Sequence, residues 1–154
     1  QRLGATLFIR LEDIDMDASG NIYIAETGAD SVDLSTYITN GGVIAGHLVP
    51  KHIGSNRYDD PYGRVLKLDP TTLGMTVLVE GGNGSDGKTN FASVDNIQID
   101  RVRNIIYLQE DLISGTRGRQ PSYVTSSSSW VCEVYALHLG VQNPTVNDLK
   151  RFAN

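Results

Sequence analysis

The sequence predicts an all-β protein, and three observations support this prediction. Apolar residues mostly alternate with polar ones instead of recurring every three or four positions, which is typical of half-buried strands. The chain has 16 glycines among 154 residues, and these separate the alternating stretches with turns. One pattern of strand, turn, strand and carboxylate also occurs twice, in residues 11–26 (LEDIDMDASGNIYIAE) and 94–111 (VDNIQIDRVRNIIYLQED). Internal repetition indicates a fold built from copies of one unit.

The first unit reads as four strands in a meander. Residues 14–17 and 22–26 alternate, and Gly20 between them supplies the positive φ that a tight turn needs. Residues 63–69 and 75–80 predict the third and fourth strands.

The second unit repeats this order but is less complete. Residues 131–137 predict its third strand, and the one helix that the pattern allows covers residues 145–152, after Pro144. We therefore divide the chain into a unit at about residues 9–82 and a second unit, cut short or decorated, at about 91–154.

Two long polar connections separate the second and third strands of the units, at residues 28–60 and 112–129. Connections of this length are usually functional or disordered. Repeated four-stranded antiparallel units with long inter-strand loops indicate blades of a β-propeller, which closes with roughly 4–8 blades. This chain supplies about two, so we expect a partial β-propeller whose remaining blades come from the same or another chain.

Composition excludes some functions. The formal charge of −5, from 13 basic and 18 acidic residues, argues against nucleic-acid binding and permits cation binding. The single Cys132 excludes an intrachain disulfide, and its strand-like neighbours favour a buried thiol. No stretch approaches the ~20 apolar residues of a membrane span. No signal peptide is recognised, and the start at Gln1 suggests a mature or trimmed product.

Two motifs match known ligand loops in spacing but not in context. Residues 15–26 fit a twelve-residue calcium loop, which needs flanking helices where this chain predicts strands. The second copy carries Arg101 and Arg103 in the same turn, so the hairpin does not need a cation. Residues 82–89 fit a P-loop, but no helix start follows to meet a phosphate.

Carboxylates at the strand ends are the better candidates. Glu12 and Asp13 precede a first strand, Asp95 has the same place in the next unit, and Glu110 ends a neighbouring strand. Carboxylates that converge in a propeller channel raise one another's pKa, and a hard cation such as Ca²⁺, Mg²⁺ or iron relieves this repulsion. Solvated acids or turn caps explain the spacing equally well, so both interpretations stay open.

Four stretches resemble the PhoX-type alkaline phosphatases and their PhoX-like relatives: residues 10–13 (RLED), 63–68 (GRVLKL), 90–97 (NFASVDNI) and 106–111 (IYLQED). The resemblance covers most of residues 8–112 and 130–139 and a minority of the full family length. It implies part of a secreted or periplasmic bacterial β-propeller that cleaves phosphate monoesters with iron and calcium.

The resemblance also implies roles for individual residues. Glu12 and Glu110 correspond to metal-ligand glutamates, and Asp95 is a third candidate. Asp13 and Asp111 are ligands or neighbours of ligands. Basic residues that flank these carboxylates are candidates for phosphate binding: Lys88, Arg117 and Arg119. Cys132 lies in a predicted third strand and does not take the place of the family's cysteine ligand.

Three functions remain as hypotheses. The chain is part of a metal-dependent phosphomonoesterase, with the isolated chain expected to be inactive. Alternatively, it is a non-catalytic, calcium-stabilised propeller segment used for binding or structure. The third hypothesis is self-assembly through the exposed edge strands of an incomplete propeller.

Overall fold

Antiparallel sheets dominate the structure, a computed structural model that describes residues 5–82, 91–111 and 132–153. Strands make up 49% and helices 9% of the described residues, which confirms the all-β prediction. None of the sheets within these three ranges closes on itself.

The strands follow in chain order as β1 (Thr6–Leu7), β2 (Leu11–Met16), β3 (Ile22–Glu26), β4 (Ala29–Asp33), β5 (Val43–Ile44), β6 (His52–Gly54), β7 (Arg57–Asp60), β8 (Arg64–Leu68), β9 (Met75–Glu80), β10 (Val94–Asp100), β11 (Ile105–Glu110), β12 (Val134–His138) and β13 (Lys150–Ala153). A short helix, α1 (Ser35–Thr39), and a 3₁₀ helix (Gly46–Lys51) lie between β4 and β6.

The first four-stranded sheet has the order β2–β3–β8–β9 and is antiparallel throughout. This confirms the four strands predicted for the first unit. Gly20 has φ +88° in the turn between β2 and β3, as the turn chemistry required.

The second four-stranded sheet has the order β10–β11–β12–β13. Its fourth strand overturns the predicted helix at residues 145–152. The Asp148 carboxylate accepts hydrogen bonds from the Thr145 N–H (2.9 Å) and Oγ1 (2.8 Å), which closes a turn instead of starting a helix. The chain then enters β13, where Lys150 pairs with Ala136.

Cys132 is exposed, so the prediction of a buried thiol is wrong. The strand that it was assigned to begins at Val134, two residues later, and Cys132 therefore lies outside the sheet.

The connection at residues 28–60 is ordered. It forms a three-stranded sheet of order β4–β7–β6, and β5 pairs in parallel with β1. Leu48 and Tyr58 belong to a separate small core beneath these elements. The other long connection, residues 112–129, lies outside the described residues.

The two four-stranded sheets pack face to face around the main core. Tyr23, Ala25, Val65 and Val79 of the first sheet share one cluster with residues of the second. The second sheet contributes apolar residues from three strands: Val94, Ile97, Ile99, Ile106, Leu108, Tyr135 and Leu137. Within the described ranges, no helix is long and apolar enough to cross a membrane.

Candidate cation site at the seam between the sheets

The first strands of the two sheets, β2 and β10, are joined along a line that we call the seam. The Asp13 Oδ2 accepts the Ile97 N–H at 2.9 Å, and the Asp15 Oδ2 accepts the Ile99 N–H at 2.7 Å. These amides belong to the outer edge of β10, since β11 occupies its other edge. The two carboxylates of β2 therefore satisfy edge amides that would otherwise need water or another strand.

Glu12 lies at one end of the seam with its side chain about one-third exposed (35%). The Arg10 Nε is 3.1 Å from the Glu12 Oε1. Arg10 itself has φ +60°, a left-handed conformation that is uncommon for a non-glycine residue. The β2–β3 register shifts between Leu11 and Ile14, so Glu12 lies in an irregular part of the ladder.

Asp95 has the equivalent place in the second sheet, at a register shift between Val94 and Asn96. Burial raises the pKa of the Asp95 carboxyl, and the negative charges of Asp111 and Glu12 raise it further. Arg10 and the Asn96 side chain oppose this effect without cancelling it. The charges of Glu12 and Asp111 therefore act on the Asp95 carboxyl.

Glu110 differs from these residues, because its side chain is buried with 2% exposure. Its Oε1 accepts the Ala92 N–H at 2.8 Å, and its Oε2 accepts the Glu133 N–H at 2.9 Å. Burial raises the pKa of Glu110 to about 8, although both N–H groups act against the shift. Both oxygens of this predicted ligand thus hold the backbone, as does one oxygen of Asp13.

Sequence reasoning missed Glu26, which is fully buried at the end of β3. Its Oε1 accepts the Ile9 N–H at 2.6 Å, while its Oε2 lies 2.7 Å from the His47 Nε2 and 2.5 Å from the Arg64 Nη1. Burial alone would raise the pKa of Glu26, but the bond to His47 and the charge of Arg64 outweigh burial and lower it. The sequence feature that could have identified Glu26 is the glutamate that ends the second strand in both repeats.

Arg64 connects Glu26 to the ordered insertion. Its Nη2 donates to the Asp60 Oδ1 at 2.6 Å, and all three side chains are at most 1% exposed. The Lys51 Nζ lies 3.7 Å from the same Asp60 oxygen and 2.6 Å from the Glu80 Oε1. The Arg64 Nε and the Asp60 Oδ2 are buried without a hydrogen-bond partner.

The calcium-loop motif is an ordinary hairpin turn. The Asp17 Oδ1 accepts the Ser19 and Asn21 N–H groups, and its Oδ2 accepts the Asn21 amide and the Tyr23 hydroxyl. Burial would raise the pKa of Asp17, but these hydrogen bonds together lower it. Strands flank the turn, and its carboxylate is used within it, so the EF-hand interpretation gains no support.

A polar cavity of about 390 Å³ opens beside the seam on the outer face of the second sheet. Its lining consists of Asp13, Asn96, Ile97, Gln98, Tyr107, Gln109 and Val134. Amide and phenol groups of this kind bind the oxygens of polar ligands.

The candidate phosphate-binding residues Lys88, Arg117 and Arg119 lie outside the described residues, as does most of the P-loop motif. In the part of the chain that the structure describes, no group of three or more His, Cys, Asp or Glu side chains is arranged to hold a metal ion. A cation held by Glu12, Asp95 and Asp111 would therefore need water or backbone oxygens to complete its coordination.

Comparison with known proteins adds no relative: no family model, curated protein or solved structure matches this chain.

Proposed function

We propose that this chain forms two neighbouring blades of a β-propeller and contributes cation ligands to a metal-dependent phosphomonoesterase of the PhoX-like type. The observation that carries this proposal is the junction of β2 with β10, where Asp13 and Asp15 accept the Ile97 and Ile99 N–H groups. At this junction the negative charges of Asp111 and Glu12 add to burial in raising the pKa of Asp95. When two carboxylates raise the pKa of a third, a bound cation relieves the repulsion among the three negative charges.

The stacking of the sheets supports the propeller part of the proposal. Each sheet is a four-stranded antiparallel sheet, and the first strands of the two sheets, β2 and β10, lie beside each other. Sheets arranged radially around a channel have this relationship between their first strands.

The outer face of the first sheet supports the presence of a further blade. Cross-strand partners on this face are all apolar: Ile14, Ile24, Leu66 and Val77 in one row, and Met16, Ile22, Leu68 and Met75 in the next. Ile14 and Met16 are 61% and 48% exposed, and Met75 and Val77 are 39% and 41% exposed. Leu66, in the middle of the first row, is buried at 1% exposure, so the exposed apolar surface is that of the edge strands β2 and β9. Exposed apolar surface of this kind marks an interaction surface, and another sheet of the same propeller fits it.

The donor set fits a hard cation, since Glu12, Asp95 and Asp111 offer only carboxylate oxygens. A bound cation would neutralise the oxygens of a phosphoryl group and lower the barrier to attack at phosphorus. This chain's own residues would orient the cation and the ester. The Arg10 guanidinium lies beside Glu12 and would limit its negative charge, and the amides of Asn96, Gln98 and Gln109 would bind the ester in the cavity that they line.

The test measures phosphate release from p-nitrophenyl phosphate by the complete propeller that contains this chain, in the presence of Ca²⁺ and iron. The variant Glu12→Gln is compared with the control Asp69→Asn. Asp69 is a carboxylate that caps the remote β8–β9 turn. We expect loss of activity on the change at Glu12 and full activity on the change at Asp69. Full activity in Glu12→Gln would contradict the proposal.

The use of carboxylates as backbone acceptors favours a second candidate, the non-catalytic calcium-stabilised segment. Asp13, Asp15, Glu26 and Glu110 all accept main-chain N–H groups and serve the fold. This function predicts a melting temperature that rises with Ca²⁺ and no phosphate release from the same assembly.

A further inference from the structure

Two buried glutamates make the same contact in the two sheets. Glu26 accepts the Ile9 N–H, and Glu110 accepts the Ala92 N–H. Ile9 lies two residues before β2, and Ala92 lies two residues before β10. Each glutamate ends the second strand of its sheet and thus holds the segment that leads into the first strand.

The backbone after each held amide is also repeated. Arg10 has φ +60° and Ser93 has φ +51°, both left-handed. The Arg10 carbonyl accepts the Thr27 N–H at 2.9 Å, and the Ser93 carbonyl accepts the Asp111 N–H at 2.9 Å. A left-handed non-glycine residue is strained and persists only where its surroundings impose it.

The strained residue is followed in each sheet by a seam carboxylate two positions later, Glu12 or Asp95. Both lie where the ladder register shifts. Such irregularities re-aim a side chain and are frequent next to functional sites. The direction of each carboxylate thus depends on the conformation of the segment that its glutamate holds.

We propose that Glu26 and Glu110 are positioning residues that hold the two lead-in segments and so bring Glu12 and Asp95 together at the seam. The inference rests on the proposed function in one respect, because it takes the seam carboxylates to be the cation ligands. It assigns Glu110 to the support of the site and not to its ligand set.

The test places spin labels at Glu12→Cys and Asp95→Cys in a Cys132→Ser background and measures dipolar broadening of the electron paramagnetic resonance spectrum. The broadening reports the proximity of the labels and needs no cation. We expect strong broadening in this parent and its loss on Glu26→Ala or Glu110→Ala.

The matched controls are Asp17→Ala and Asp100→Ala. These aspartates accept backbone N–H groups in the turns at the opposite ends of the same two hairpins. They remove comparable hydrogen bonds but leave the lead-in segments held, so broadening should persist. Broadening that persists equally in the glutamate variants would overturn the inference.

Glu26→Gln separates position from stability. The glutamine amide oxygen still accepts the Ile9 N–H, while the charge opposite Arg64 is lost. We expect a less stable protein that retains the broadening, whereas loss of broadening in a folded Glu26→Gln would contradict the inference.

Amide hydrogen exchange in the unmodified chain is a second test, and its result does not depend on whether the variants fold. The Ile9 and Ala92 amides should exchange as slowly as those of the core strands, and exchange at the rate of exposed amides would overturn the inference.

Calcium titration of the unmodified chain separates the positioning role from the proposed cation site. Absence of binding together with the expected broadening defeats the cation site and leaves the positioning role in place.

Discussion

Arg64 and Glu133 occupy the same position in the two four-stranded sheets, yet their charges are opposite. Arg64 pairs across the ladder with Glu26, and Glu133 lies opposite Glu110, with its N–H 2.9 Å from the Glu110 Oε2. Both side chains are fully buried. The first sheet therefore neutralises its buried glutamate with a guanidinium, whereas the second sets a carboxylate beside it. Glu133 is in turn bound by the Tyr135 hydroxyl and by the Arg151 Nη1 at 2.8 Å.

This difference predicts a stability that falls as pH rises through the neutral range. Because burial raises the pKa of Glu110 from 4.5 to about 8, the folded chain keeps a proton that the unfolded chain releases above about pH 4.5. The stabilising contribution is complete below pH 4.5, declines as pH rises towards 8, and then stays constant. Its size is on the order of a few kcal/mol, at about 1.4 kcal/mol per pKa unit.

The measurement is the free energy of unfolding in urea at pH 5 and pH 8, for the unmodified chain and for Glu110→Gln. Glutamine cannot release a proton, so the decline from pH 5 to pH 8 should be smaller in the variant. An equal decline in both proteins would show that Glu110 is ionised in the folded chain throughout.

Replacement of Arg64 should destabilise the fold strongly. Arg64→Met removes the guanidinium that the buried carboxylates of Glu26 and Asp60 share, which costs about 3–5 kcal/mol. His47 then remains beside Glu26, and Lys51 remains beside Asp60. The added change Glu26→Gln should restore part of this loss, because one uncompensated charge is removed. Arg103→Met is the control, since that side chain is 73% exposed in its pair with Asp100 and its replacement should leave stability nearly unchanged. Equal effects at the two arginines would contradict the buried network.

The seam should depend on the carboxylates of β2. Asp13→Ala removes the acceptor of the Ile97 N–H and Asp15→Ala that of the Ile99 N–H, at about 1–3 kcal/mol each. We expect each change to speed hydrogen exchange at its own amide, as measured by nuclear magnetic resonance. Asp69→Ala, in a remote turn, should leave both rates unaltered. Unchanged exchange in the seam variants would mean that the sheets do not meet along this line.

Cys132 should react readily in the folded chain. The thiol is exposed, so a thiol-specific reagent such as dithionitrobenzoate should modify one sulfur per chain without denaturant. A thiol that reacts only after unfolding would place Cys132 inside the sheet, as its apolar neighbours first indicated.

Alternation of apolar residues was enough to predict the regular sheets, because one face of each strand meets the core. Tyr23 and Ala25 show this in β3, where the next residues along the strand face the opposite side. The fourth strand of the second sheet was missed because its four residues give too short a pattern. Pro144 and Thr145 also resemble a helix start, and only the pairing of Lys150 in β13 shows that the helix does not form.

The candidate site was predictable only in part. The repeat placed Glu12 and Asp95 in equivalent positions, and the charge of Glu12 contributes to the raised pKa of Asp95. Spacing could not reveal that the Glu110 side chain turns inward to hold Ala92, because side-chain direction at a register shift depends on the whole ladder. The same limit hid Glu26, whose partners Arg64 and His47 come from distant parts of the chain.

The central claim is that Glu12, Asp95 and Asp111 hold a cation, and calorimetric titration of Ca²⁺ into the chain tests it most directly. The comparison is the unmodified chain, the double variant Glu12→Gln with Asp95→Asn, and the turn control Asp69→Asn. We expect saturable binding that is weakened at least about tenfold in the double variant and preserved in the control, which corresponds to about 1.4 kcal/mol or more. Identical titrations in all three proteins, or no binding in any of them, would contradict the account.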